Sequence, residues 1–318
     1  MAGSSKKAIY GAILANIAIA ISKFIAAFFT SSSSMLSEGI HSLVDTGNGA
    51  LLLFGINKSN TPADEHHPYG YGNEVYFWSF VVAVLIFALG GGIALFEGIE
   101  AILYPPKEVE REHIMWNYVV LGLAMLFEGS ALRVALKQFN STRGDKSFIQ
   151  ELVDIKDTST AAIVIEDSAA LIGLAMAFIC VALGDITDIV YFDGIGSILI
   201  GLLLISVSLF FATECKDLLI GEGLIESDLK KITEILDNEE NVIAYKRPLS
   251  LYFGPNEVLV NLDANFKDEL TADDIEKTID NIESKIKQVL PFVNRIFIEA
   301  ETIKTKKRTK SEPNNQIN

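Results

Sequence analysis

His41 and Asp45 stand four residues apart inside one long apolar run, and Glu166 and Asp167 stand side by side inside another. Imidazole nitrogen and carboxylate oxygen are the donors that a borderline divalent metal such as zinc accepts. On a helix, positions i and i+4 share one face a turn apart, so His41 and Asp45 offer half of a tetrahedral site. The other half has to come from a different element, and the run holding Glu166 and Asp167 is the only other one with two adjacent acids deep inside it. Adjacent helical residues project about 100° apart, so Glu166 and Asp167 cannot face one point equally. The alternative for these groups is a hydrogen bond between helices with no ion. An ionisable residue at bilayer depth costs roughly 3 kcal/mol on insertion scales, which makes function the default reading.

The elements that must position these residues follow from the hydropathy pattern. Half of the 318 residues are hydrophobic, and they concentrate before about residue 212. Apolar runs near 8–30, 35–57, 75–103, 114–136, 158–183 and 189–212 predict six spans of ~20 residues or more. The first follows Lys6 and Lys7 and reads as a retained span, since no small-residue cleavage site follows it. Lys6, Lys7, Lys58, Lys137, Arg143, Lys146 and Lys156 fall on one side, against Lys107 and Arg111 on the other. Both termini are therefore expected in the cytoplasm of a multi-pass protein, in the inner membrane if the source is bacterial.

After Gly223 the pattern becomes that of a soluble domain. Residues 227–238 and 271–290 read as amphipathic helices, the second with Thr271 as N-cap and Asp273 and Asp274 in its first turn. LSLYF, GPN and EVLVNLDANF read as a hairpin, and NRIFIEAE as a third strand, giving the order αββαβ. The expected fold class is a membrane all-α six-helix bundle with a C-terminal α+β, ferredoxin-like cytoplasmic domain. Its expected divisions are a transport domain over 1–215, a dimerisation domain over 216–302 and a basic, disordered tail over 303–318.

Composition excludes several functions. The net charge of −15 comes largely from the soluble domain, whose surface repels nucleic acid. Two cysteines provide neither a disulfide framework nor a CxxC metal site. HExxH is absent, and no nucleophile arrangement stands in for it, so an enzyme is not expected. Lys23, Glu97, Glu128 and Arg133 read as interfacial or interhelical pairs, and His113 as a loop residue.

Taken together, HSLVD on the second span, EDSAALIG on the fifth, PADEHHPYGYG between the second and third spans, and the GPNEVLV hairpin resemble the cation diffusion facilitator family. The resemblance covers nearly the whole chain. It implies a homodimeric metal/proton antiporter in the lipid bilayer, with its transport site between the second and fifth spans. It carries no resident cofactor: the divalent cation, zinc first, is cargo, and protons are the counter-ion. His41, Asp45 and Asp167 match the family's ligand positions, but the second-histidine position of the fifth span is Ile163. Glu166, Thr160 or a water is left to replace it, and the loss shifts the site toward harder ions such as manganese or iron. Asp64 and His67 match a peripheral metal position in the interspan loop, where Tyr71 stands in place of a further histidine. A polar turn is the other reading of that loop. The departure at Ile163 also leaves open a regulatory member of the same fold that does not transport.

Overall fold

The computed structural model describes residues 13–14, 16–22, 24–25, 28, 33–105, 111–142, 148 and 156–302, with the side chains of 33–41, 111–114, 116–117 and 141–142 outside that description. The expected disordered tail over 303–318 also lies outside the described residues. The chain divides into two compact units, Met1–Ile220 and Gly221–Asn318.

The first unit is helical. Helical residues within 13–28 form α1, followed by α2 (Ser33–Ser59), α3 (Glu74–Leu103), α4 (Arg111–Thr142), α5 (Thr158–Thr187) and α6 (Tyr191–Ile220). Among the described residues, four helices are long and apolar enough to cross a membrane: α3, Tyr118–Asn140 of α4, α5 and α6. α2 carries His41, Asp45 and Asn48 along its length.

Local chemistry sets the helix ends. Asp157 caps α5 by accepting the Thr160 amide at 3.3 Å and the Thr160 hydroxyl at 2.8 Å, which satisfies one of the orphan donors of the first turn. Asp188 closes α5 at φ 57°, a left-handed conformation that a short polar side chain tolerates. α6 runs past its apolar stretch to Ile220 and stops at Gly221, where φ is 112°, so the units divide a little beyond the boundary hydropathy places at 215.

α3 contains a π-helical segment, Ile86–Gly92, and packs on α6 at glycine contacts. A Cβ on Gly98 would lie 2.7 Å from the Gly194 carbonyl oxygen, and one on Gly201 would lie 3.0 Å from the Gly91 oxygen. Without a hydrophobic driving force in lipid, such backbone approach is how two helices gain dispersion contact. α5 packs against α4 through Val164, Ala135 and the fully buried Phe139.

The second unit comprises α7 (Glu226–Asp237), β1 (Val242–Tyr245), β2 (Leu249–Gly254), β3 (Glu257–Phe266), α8 (Ala272–Val289) and β4 (Val293–Ala300). β3 alternates strictly, with Val258, Val260, Leu262, Ala264 and Phe266 buried. These face Leu229, Ile232 and Leu236 of α7 and Ile282 and Ile286 of α8, which are also buried. A strand whose side chains alternate at period two meets helices on one face only. Thr271 and Asp274 form a reciprocal capping box at the start of α8.

The sheet has four strands where the sequence predicts three. Asn261 pairs with Leu249 and Phe297, and Ala264 with Tyr245 and Ala300. β1 and β2 therefore share one antiparallel edge of β3, and β4 lies parallel on the other. Pro248 separates β1 from β2 and lacks the N–H that a continuous strand donates. The four-residue β1 is too short to announce itself by alternation.

Candidate metal centre

A cavity of about 40 Å³ inside the helical unit gathers acids from three helices. α2 contributes Asp45 and Asn48, α4 contributes Glu128, and α5 contributes Glu166 and Asp167. Apolar groups such as Leu52, Ile86 and Leu204 close the wall. That volume suits an ion with a water or two, a single water needing on the order of 10–15 Å³.

The polar groups are tied across helices. The Asn48 side-chain Nδ2 donates to Glu166 Oε1 at 3.0 Å. Asp45 lies within hydrogen-bond reach of Glu166, and both Glu128 and Asp45 act on Asp167 as like charges. Asp167 is 9% exposed and Asn48 1% exposed. The buried oxygens Asp167 Oδ2 and Asn48 Oδ1 have no hydrogen-bond donor. Each such acceptor costs ~1–3 kcal/mol when left unsatisfied, and a cation is a partner that removes the penalty. Among the described residues, no three His, Cys, Asp or Glu side chains are drawn together closely enough to hold one ion. His41 lies on α2, one turn before Asp45, with its side chain outside the description.

Glu166 and Asp167, adjacent on the helix, both reach the cavity wall. Ile163 lines it too, putting an apolar group where the resemblance implies an imidazole. Thr160 does not line it, since its hydroxyl is committed to Asp157. One polar lining residue, Asn48, was not singled out from sequence. Asn48 continues the His41, Asp45 stripe at i+7, a signal available in the spacing. Glu128, read from sequence as interfacial or interhelically paired, is 8% exposed and lines the cavity, and nothing in the sequence of α4 marks which way it turns.

The interspan loop is built around Asp64. Its Oδ1 accepts the amides of His66 and His67 at 2.9 and 2.7 Å, and its Oδ2 accepts the Tyr71 hydroxyl at 2.8 Å. The His67 and Tyr71 rings stack at 4.1 Å, and Gly70 adopts φ 87°. The Tyr71 hydroxyl, then the His67 amide, hold the Asp64 carboxyl below its ordinary range. A carboxyl depressed in the folded chain contributes stability above about pH 4 that is lost as pH falls through the lowered value. Tyr71→Phe removes the largest cause, so acid opening of the loop, followed by limited proteolysis over 60–73, should begin at higher pH. An unchanged acid profile would show that the tyrosine does not hold the turn.

Residues 9–220 match the family model described as the cation efflux transmembrane domain. The chain is 36% identical over 224 residues to the proton-coupled zinc antiporter SLC30A9, mitochondrial, of Homo sapiens, covering 70% of this chain and 39% of that protein. It is 30% identical over 275 residues to metal tolerance protein C4 of Arabidopsis thaliana, covering 84% and 58%. Identity to the manganese efflux system protein MneP of Bacillus subtilis is 24% over 220 residues, covering 69% and 70%. The chain thus spans less than half the length of the human protein.

Proposed function

The chain belongs to the cation efflux family, the cation diffusion facilitators, and from that premise we propose that it is an antiporter exporting a divalent metal, zinc first, in exchange for protons. It is an integral membrane protein, not an enzyme, with both termini assigned to the cytoplasm on the distribution of basic residues between its loops. The observation that carries the reading is the convergence of Asp45 from α2 with Glu166 and Asp167 from α5 on one buried cavity. His41, Asp45 and Asp167 are assigned as ligands, with Glu166 beside them.

Asp45 and Glu166 stand in hydrogen-bond contact on the cavity wall. A divalent cation requires deprotonated ligands, so metal entry expels protons and proton entry expels metal. Alternation of the cavity between the two sides of the membrane turns that competition into antiport. The relative named as a zinc antiporter supports zinc as cargo. The oxygen-rich wall and the relative named for manganese efflux favour manganese as the alternative cargo.

The chain is also assigned as a homodimer through its soluble unit. Leu249 and Phe297, 67% and 53% exposed, flank Asn261 on the sheet face turned away from the helices, and a second copy covers that apolar row. Asp64 and His67 are assigned to the turn. A peripheral metal there would appear as an extra equivalent lost on Asp64→Ala.

Purified protein in liposomes tests the transport reading. Zinc should enter vesicles only with opposite proton movement, and an imposed proton gradient should drive it. Vesicles that bind zinc without moving it would point to the regulatory reading that the apolar Ile163 raises.

A further inference from the structure

Asn48 has one half of its amide committed and the other half free. Its Nδ2 donates to Glu166 Oε1, which fixes the amide plane and turns Oδ1 away from that carboxylate. Oδ1 is buried without a donor on a side chain that is 1% exposed and lines the cavity. Along α2, His41, Asp45 and Asn48 fall at i, i+4 and i+7, one stripe of one helix face. Across the cavity, Ile163 supplies no donor atom.

We infer that the side-chain carbonyl oxygen of Asn48 is a direct ligand of the transported cation and sets which cation the site prefers. The inference rests on the transport reading above. Asp45, Glu128, Glu166 and Asp167 already crowd four carboxyl groups around the cavity, so a further anion would add repulsion. A neutral amide oxygen completes a coordination shell without adding charge. It is also a hard donor standing in place of imidazole, which moves the balance from zinc toward manganese. The amide N–H meanwhile holds the Glu166 carboxylate in place, so one side chain both ligates and orients a neighbouring acid.

Three substitutions separate the oxygen from the N–H. Asn48→Leu removes both and should weaken zinc and manganese binding by on the order of 10–100-fold, with loss of the metal-induced rise in thermal midpoint. Asn48→Asp keeps an oxygen and loses the N–H, and should still bind, with manganese favoured over zinc relative to wild type. Asn48→His replaces the oxygen with nitrogen and should shift the preference to zinc. Competition between the two ions, on full-length protein, reads all three. Each variant's metal-free thermal midpoint reports folding, and if Asn48→Leu does not fold the other two decide.

An Asn48→Leu protein with the wild-type dissociation constants and zinc-to-manganese ratio overturns the assignment. So does an Asn48→Asp protein as impaired as the leucine variant, which would leave only the N–H mattering. So does an unchanged ratio in both Asn48→Asp and Asn48→His. In all three cases wild-type flux persists and the transport reading stands, whereas wild-type protein that moves neither ion defeats that reading and the ligand with it.

Discussion

Asp45→Ala and Asp167→Ala each lower zinc flux in proteoliposomes by on the order of 100-fold or more, while Asp64→Ala leaves it unchanged. Partners that only orient a ligand cost 10–100-fold in metal affinity, so removing a ligand belongs at or beyond the upper end of that range. Asp45 and Asp167 face one cavity from two helices, and neither replacement offers an oxygen to the ion. Asp64 instead spends its carboxylate on the His66 and His67 amides and the Tyr71 hydroxyl, in an exposed loop. Thermal midpoints of the variants separate lost transport from lost folding. Removing one of the carboxyls crowded at the cavity also relieves repulsion on its neighbours, so the transport-dead proteins should be no less stable than wild type. An Asp45→Ala protein with full flux would remove the α2 contribution to the site.

Gly98→Leu and Gly194→Leu should prevent the close packing of α3 on α6, and the milder Gly98→Ala and Gly194→Ala should each cost ~1–3 kcal/mol. A Cβ at Gly98 meets the Gly194 oxygen and the Ile198 nitrogen at 2.7 Å, and one at Gly194 meets the Gly98 oxygen at 2.8 Å. Both obstacles are backbone and cannot rotate away. α3 and α6 also supply Ile86, Gly90 and Leu204 to the cavity wall, so flux should fall along with stability. Gly122→Ala and Gly129→Ala on α4, where an added Cβ meets nothing within 4 Å, serve as neutral controls. Equal thermal midpoints in detergent for all four alanine variants would contradict the packing argument.

Much of this was legible in the sequence because the bilayer imposes a simple rule: polar groups inside long apolar runs must find a cavity or a partner. That rule singled out Asp45, Glu166 and Asp167, and the cavity gathers them. Strand alternation similarly identified the β2–β3 hairpin, and Thr271 with Asp274 marked the start of α8. Asn48 went unread because an amide carries no formal charge to mark it, although its spacing from His41 and Asp45 was visible. That Glu128 turns to the cavity could not be read, since its direction depends on how α4 rotates against α5, which is set by Phe139, Ala135 and Val164 packing across the two helices. β1 escaped because four residues are too few to establish a period of two.

The central claim is that a divalent cation and protons compete for the carboxyl groups between α2 and α5. Calorimetric zinc titration near neutral pH, repeated in buffers of different ionisation enthalpy, counts the protons released as the ion binds. Wild-type protein should release about one proton or more per zinc bound, and Asp45→Asn, which removes one of the acids for which protons and the metal compete, should release fewer. Zinc that binds wild-type protein with no proton release would contradict the account.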